Sequence, residues 1–382
     1  MRINSIQLRR IIDSRTQPTI EAEINESYGK APSGASTGRH EAKCHVPKHL
    51  DELEKLLKNK LEGRNLTQKE FDQKLEEIDG SDDFSRLGAA AIASSFAFKN
   101  AAGFQHTKKF PLPLSNVIGG GEHGGQTTIQ EFLVLPVNAK TFPEALETNT
   151  KIYQELKNQY SQKIKGINDE GALITSMDDK ETLKALKKIA GKHDARIGLD
   201  IAASEFYQNK KYRMESLNQV NSPSQHLEYV QSLIERFDVV YVEDPFDQDD
   251  FKHHARLTAR NPDTLICGDD LFTTNKNRLE KGITNQAGNS IIIKPNQIGT
   301  VTEAQETVQL AKKENYTPVI SHRSGETIDS TISDLSIEWE TPIIKAGIAD
   351  IRIAKLNKLM RLWDQKKKPE INQKIKNESK KT

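Results

Sequence analysis

Residues 290–327, SIIIKPNQIGTVTEAQETVQLAKKENYTPVISHRSGET, decide the fold. The apolar run SIII has the length of a buried strand. The segment TVTEAQETVQLAKKEN has helical character and opens with Thr300 and Glu303 at capping-box spacing. A second apolar run, TPVI, follows. Strand, helix, strand places the two strands parallel. The first run ends in Lys294, the second in His322, Arg323 and Ser324. A strand that delivers histidine, arginine and serine together reads either as a polar loop with a helix cap or as a binding site for an anion.

The same unit recurs on both sides. RIGLDIA ends in Asp200, VVYVEDPF in Glu243, TLICGDDL in Asp269 and Asp270, and PIIKAG in Lys345. Between them SPSQHLEYVQSLIERF places Leu227, Val230, Ile234 and Phe237 on one helical face. So many strand–helix units in one block predict an α/β fold with a closed (β/α)8-type TIM barrel. An open doubly wound sheet is the weaker alternative, because no glycine-rich dinucleotide fingerprint is present.

In a barrel the carboxyl ends of the strands meet at one mouth, so these charges share one volume. Three carboxylates packed together repel one another unless a cation sits among them. Hard oxygen ligands without cysteine or histidine suit Mg²⁺. Lys294 beside that cation would have its pKa lowered and could act as a base, although a lone lysine is more often a salt-bridge partner. Arg323 can grip a phosphate with its planar fork, with Ser324 and His322 adding donors. A small substrate with a phosphate and a second anionic group is implied.

The rest of the 382-residue chain frames this block. Residues 1–110 read as a small α+β domain: INSIQLRRIID and TIEAEINES alternate as strands do, while LDELEKLLKNKL, TQKEFDQKLEEI and the apolar stretch 85–104 have helical spacing. PLPLSNVIGGG (111–121) marks the junction. The barrel is expected over 111–363, and the tail 364–382, with seven lysines, is expected to be disordered. A net charge of +1 singles out neither nucleic acid nor a membrane surface as the main partner. No apolar segment approaches 18 residues, and MRINSIQLRR lacks a signal-peptide core. Cys44 and Cys267 are far apart and without CxxC spacing, so a reducing cytoplasm is the simplest home.

These residues resemble the enolase family over about 3–360. IIDSRTQPTIEAEI resembles its first strands and APSGASTGRHEA its mobile loop; IQEFLVLP, NDEG, GLDIAASEFY, VEDPFDQDD, GDDLFTTN, KPNQIGT, SHRSGET and IKAG follow in the family's order. PLPLSNVIGGG looks most like the archaeal branch. The resemblance implies the enolase variant of the barrel and a Mg²⁺-dependent lyase that interconverts 2-phosphoglycerate and phosphoenolpyruvate in glycolysis and gluconeogenesis. It implies two Mg²⁺ per site, with Asp200, Glu243 and Asp269 on the first and Ser36 helping with the second. Lys294 would be the base, Glu170 the acid assisted by Glu131, and Lys345 the partner of the substrate carboxylate. His322, Arg323 and Ser324 would hold the phosphate, and His123 would lie on a closing loop. A homodimer or a ring of dimers is implied as well.

The chain departs from the family's pattern in places. G-D-E-G-G reads Asn168-Asp169-Glu170-Gly171-Ala172, the segment 123–131 is one residue short, and the Asp- and Gly-rich stretch after Glu41 is missing. Pro295 follows the base, and R-S-E-R is reduced to Asp350-Ile351-Arg352, a change expected to touch packing more than chemistry. A racemase or cycloisomerase of the wider superfamily would use a K-x-K such as Lys163-Ile-Lys165. The spacing disfavours it: 43 positions separate Asp200 from Glu243, against 26 from Glu243 to Asp269 and 25 from Asp269 to Lys294. A repurposed scaffold protein is the other alternative, and the complete charged set argues against it.

Overall fold

The computed structural model describes residues 1–34, 38–121 and 124–372; Ser36 and His123 lie outside the described residues. Strands β1 (Ile6–Ile12), β2 (Pro18–Ile24) and β3 (Ser27–Lys30) form an antiparallel sheet with Ile6 opposite Ile24. Helices α1 (Leu50–Leu61), α2 (Gln68–Asp79) and α3 (Ala89–Ala102) complete the first domain. Thr67 and Glu70 form a capping box at the start of α2, and Gly80 ends it in the left-handed conformation. Every residue of α3 from 89 to 98 is buried. A Cβ on Gly29 would come within 2.3 Å of Ala93 O, so α3 rests directly on the backbone of β3.

The second domain runs through β4 (Lys109–Phe110), β5 (Leu112–Gly119), β6 (Glu131–Leu135), α4 (Phe142–Gln159), β7 (Ile164–Ile167), β8 (Leu173–Thr175), α5 (Asp179–Lys192) and β9 (Arg196–Asp200). A meander of β10 (Tyr207–Gln208), β11 (Lys211–Met214) and β12 (Gln219–Asn221) leads to α6 (Pro223–Phe237), β13 (Val239–Glu243), α7 (Phe251–Arg260), β14 (Leu265–Gly268) and α8 (Lys276–Asn285). Then come β15 (Ser290–Ile293), α9 (Pro295–Ile298), α10 (Val301–Lys313), β16 (Thr317–Ser321), α11 (Thr331–Glu338), β17 (Ile343–Lys345), α12 (Ile353–Gln365) and β18 (Glu370–Ile371).

Eight strands close the barrel in the order β5, β6, β9, β13, β14, β15, β16, β17, with β17 pairing back onto β5. β13, β15 and β16 are buried throughout, as strands covered on both faces must be. The barrel is not wholly parallel, however. β6 runs antiparallel to both β5 and β9. Loop 120–130 joins β5 to β6 without an α-helix among its described residues, and a direct connection of that kind reverses the chain. Reversal brings the first residue of β6, Glu131, opposite Asp200 at the end of β9.

Two further details differ from the sequence reading. Only half of a capping box forms at α10: Thr300 accepts the Glu303 N–H at 3.3 Å, while Glu303 bonds the Thr300 hydroxyl at 3.0 Å instead of the backbone. The tail is not disordered from 364. Helix α12 continues to Gln365, and β18 pairs in parallel with β4. Ile371 is buried there, and the Trp363 ring stands edge-on to Phe110 at 5.0 Å, so apolar side chains hold a segment whose lysine content suggested none. No helix among the described residues is long and apolar enough to cross a membrane.

Candidate active site at the barrel mouth

The strand ends meet in one narrow cavity of about 40 Å³, lined by Glu131, Glu170, Asp200, Asp244, Asp269, Asp270, Lys294, His322, Arg323, Ser324, Lys345 and Glu41 among others. Glu243 does not line it and is fully buried. A larger cleft of about 660 Å³ adjoins it beside the β10–β12 meander, sharing Gln130 and Ala202. The charged groups concentrate in the narrow one.

Lys345 is the centre of the cluster. Its Nζ lies 2.7 Å from Asp200 Oδ2, 2.8 Å from Glu243 Oε2 and 2.9 Å from Glu131 Oε2. Burial opposes its charge, yet Asp200, Glu131 and Glu243 together hold its pKa well above the ordinary value. Burial followed by repulsion from Asp200 pushes the Glu243 carboxyl well up.

Lys294, the first residue before α9, is ion-paired with Asp269 Oδ2, and Gln297 donates to Asp269 Oδ1 at 2.8 Å. Burial lowers the Lys294 pKa, but Asp269 and Glu243 outweigh it, so the shift is upward. The carboxylate touching the amine stabilises its charged form; the lowering expected from sequence belongs to the site with a cation beside the amine. Pro295 takes the first position of α9, where its missing N–H is harmless.

Glu170 receives Asn116 Nδ2 at 3.2 Å. Its backbone N–H bonds Asn168 Oδ1 at 3.0 Å, and Asn168 also accepts from the Ala172 N–H at 2.8 Å. The asparagine that replaces a family glycine therefore ties the turn together with its side chain. One ring nitrogen of His322 and one carboxylate oxygen each of Glu131 and Glu170 lie within 4.8 Å of one another. Arg323 makes a buried two-point pair with Glu41, at 2.9 and 3.3 Å, and reaches Asn296 Oδ1 at 3.2 Å.

Several members escaped the sequence reading. Asp244 accepts the backbone N–H groups of Asp269 and Asp270 at 3.0 and 2.7 Å, and the three acids form a second candidate metal group. Burial, then Asp269 and Glu41, push the Asp270 carboxyl up to about 8. Asp244 was signalled by its place beside Glu243, and Glu41 by its place in the GRHEA stretch. Asn116 and Gln297 are uncharged and gave no signal. Lys163 and Lys165 are exposed on the β7 side and line neither cavity.

The residues fit a hard divalent cation. Asp200 and Glu243 already share one cationic atom, all their donor atoms are oxygens, and Glu243 Oε1 is buried with no hydrogen-bond partner among the described residues.

Comparison with known proteins agrees with this architecture. Residues 3–112 match the family model described as the enolase N-terminal domain, and residues 107–378 match the enolase C-terminal TIM barrel domain. The enolase of Natronomonas pharaonis is 42% identical over 395 aligned residues, covering 94% of this chain and 98% of its own. That of Methanosphaera stadtmanae is 39% identical, covering 97% and 98%. That of Archaeoglobus fulgidus is 37% identical, covering 97% and 99%.

Proposed function

The chain belongs to the enolase family, and from that premise we propose that its barrel mouth carries out the reversible dehydration of 2-phosphoglycerate to phosphoenolpyruvate, as a divalent-metal-dependent hydro-lyase. The observation that supports this most is the gathering of three carboxylates on Lys345 beside a separate Lys294–Asp269 pair and an arginine fork.

The difficult step is removal of a proton from the carbon beside a carboxylate. It leaves a doubly negative enediolate, and bound Mg²⁺ supplies positive charge where that charge develops. The enolase superfamily is itself the standing example of a lysine base working in this way. Asp200, Glu243 and Asp269 would hold the first ion, and Ser36 would help with a second. Lys294 would take the C2 proton. Its contact with Asp269 means that amine and ion compete for one carboxylate. Glu170 would protonate the departing 3-hydroxyl, assisted by Glu131, and Lys345 would donate to the substrate carboxylate. Arg323 and Ser324 would hold the phosphate, while His322, expected from the resemblance to join them, has its ring beside Glu131 and Glu170 instead; Glu41 already shows the Arg323 fork engaged on an oxyanion. His123 would approach from its loop. The resemblance also carries a dimer or ring of dimers, read out by light scattering against the 43.0 kDa chain mass.

A direct assay tests the reading. Purified protein with 2-phosphoglycerate should produce the absorbance of phosphoenolpyruvate only when Mg²⁺ is present. Lys294→Ala should lower kcat by about 10²–10⁴-fold, the usual contribution of a positioned base. Inert 2-phosphoglycerate with epimerisation of an unphosphorylated acid would favour a racemase instead. Metal binding without turnover would favour a scaffold.

A further inference from the structure

Arg352, in the reduced R-S-E-R segment expected to touch packing more than chemistry, is fully buried. A buried guanidinium is costly unless every donor is engaged. Among the described residues its carboxylate partner is Asp350, at 3.0 Å. The other partners are neutral acceptors on a single loop: Nε donates to His322 Nδ1 at 3.1 Å, and Nη2 to the carbonyls of Arg323, at 3.3 Å, and Ser324.

The first of these bonds has a chemical consequence. A guanidinium carries five N–H donors, no acceptor, and does not lose its proton in proteins. Nδ1 of His322 must therefore present its lone pair, and a neutral ring must carry its hydrogen on Nε2. His322 is also the ring that stands within 4.8 Å of the Glu131 and Glu170 carboxylates, and Nε2 is the nitrogen left for them. Burial, then Arg352, Lys345, Lys355 and Lys294, hold its pKa well below the ordinary histidine value. Two carboxylates, Glu131 and Glu170, face it from the other side.

We propose that Arg352 is a positioning residue that fixes His322 as a neutral Nε2–H donor aimed at the Glu131–Glu170 side of the pocket. The same segment braces the acid's turn. A Cβ on Gly347 would meet Glu170 O at 2.5 Å and Arg352 Cδ at 2.8 Å, and one on Gly171 would meet Ala349 C at 2.9 Å. Residues 347–352 are thus wedged between the loops that carry His322 and Glu170. The tautomer follows from the hydrogen bond alone, whereas the catalytic importance of that tautomer rests on the function proposed above.

Nitrogen-15 NMR of histidine-labelled full-length protein reads the tautomer directly. The wild type should show His322 with a bare Nδ1 and a protonated Nε2 at neutral pH. Arg352→Gln, whose amide oxygen can accept from Nδ1–H, should lose that single state and lower kcat/KM by about tenfold or more. Removing the charge should also raise the His322 pKa, so the acid limb of the pH–rate profile should move to higher pH. Arg352→Lys keeps a cationic donor and should restore both. A wild-type His322 protonated on Nδ1, or on both nitrogens, overturns the proposal even if no variant folds. So does a folded Arg352→Gln protein whose His322 keeps the single Nε2–H state, whereas a changed tautomer with unmoved kinetics overturns the catalytic role. A wild type with the Nε2–H ring that does not dehydrate 2-phosphoglycerate removes the role while keeping the tautomer, which separates the two claims.

Discussion

Glu170 and Lys294 illustrate what a single residue contributes. They belong to separate clusters: Glu170 is held by Asn116 and by the Asn168 turn, Lys294 by Asp269. Acid and base can therefore be removed independently. Gln at position 170 keeps the size and an oxygen for Asn116 but has no acidic proton to give. Glu170→Gln should lower dehydration by about 10²–10⁴-fold. Exchange of the C2 hydrogen with deuterated water, followed by NMR, should fall far less. Equal losses in both would count against the division of labour. At this scale the charged members were legible, because a charge at the end of an apolar run is conspicuous. Asn168 was legible only as a departure. Its compensating bonds depend on the exact turn it sits in, and no pattern in the chain records them.

At the scale of elements, the docking of the first domain onto the barrel runs through a helix cap supplied across the interface. Asp72 of α2 is fully buried; it accepts the Thr302 N–H at 2.9 Å, the Thr302 hydroxyl at 2.6 Å and the Ser95 hydroxyl at 2.7 Å. It thereby satisfies the open amino end of α10, in which Thr300 provides the other cap. Asp72→Ala removes the partner of the half-buried Thr302 donors and the buried Ser95 hydroxyl and should cost about 2 kcal/mol. Circular dichroism should show melting lowered by a few degrees. Turnover measured well below that transition should stay near wild type, since Asp72 touches no group of the pocket. An unchanged melting temperature would mean that the interface is held elsewhere.

Over the whole molecule, stability should respond to acid through two histidines that the chemistry does not use. His226 lies flat on Tyr212 at 4.1 Å and bonds Pro245 O at 3.0 Å; His254 bonds Asp250 O at 2.9 Å. Both are fully buried, and burial brings each down to about 4. Their unfolded value is near 6.5, so the folded ring resists protonation. Their contribution is present above pH 6.5 and is lost as pH falls toward 4, by about 2 kcal/mol for each ring at pH 5. Raised carboxyls such as Asp179, at about 6, act in the opposite direction, gaining stability as pH falls. A comparison with His226→Gln isolates one ring. Urea midpoints should show the gap between wild type and variant narrowing by about 2 kcal/mol from pH 7 to pH 5. A gap that does not change with pH would show that the ring is free to protonate in place.

Taken by itself, the chain determined the succession of strands and helices, the barrel and the family, because hydrophobic period, capping residues and strand-end charges are written within a few positions of one another. Tertiary structure alone decided the reversal of β6, which follows a loop 120–130 with no α-helix among its described residues, and the pairing of residues 370–371 with β4. It also decided which charges touch. Lys345 meets Asp200 across 145 positions and Arg323 meets Glu41 across 282. Such pairings are set by closure of the barrel and seating of the first domain on its mouth. Local pattern carries no information about contacts that exist only once distant strands have been brought to a common rim.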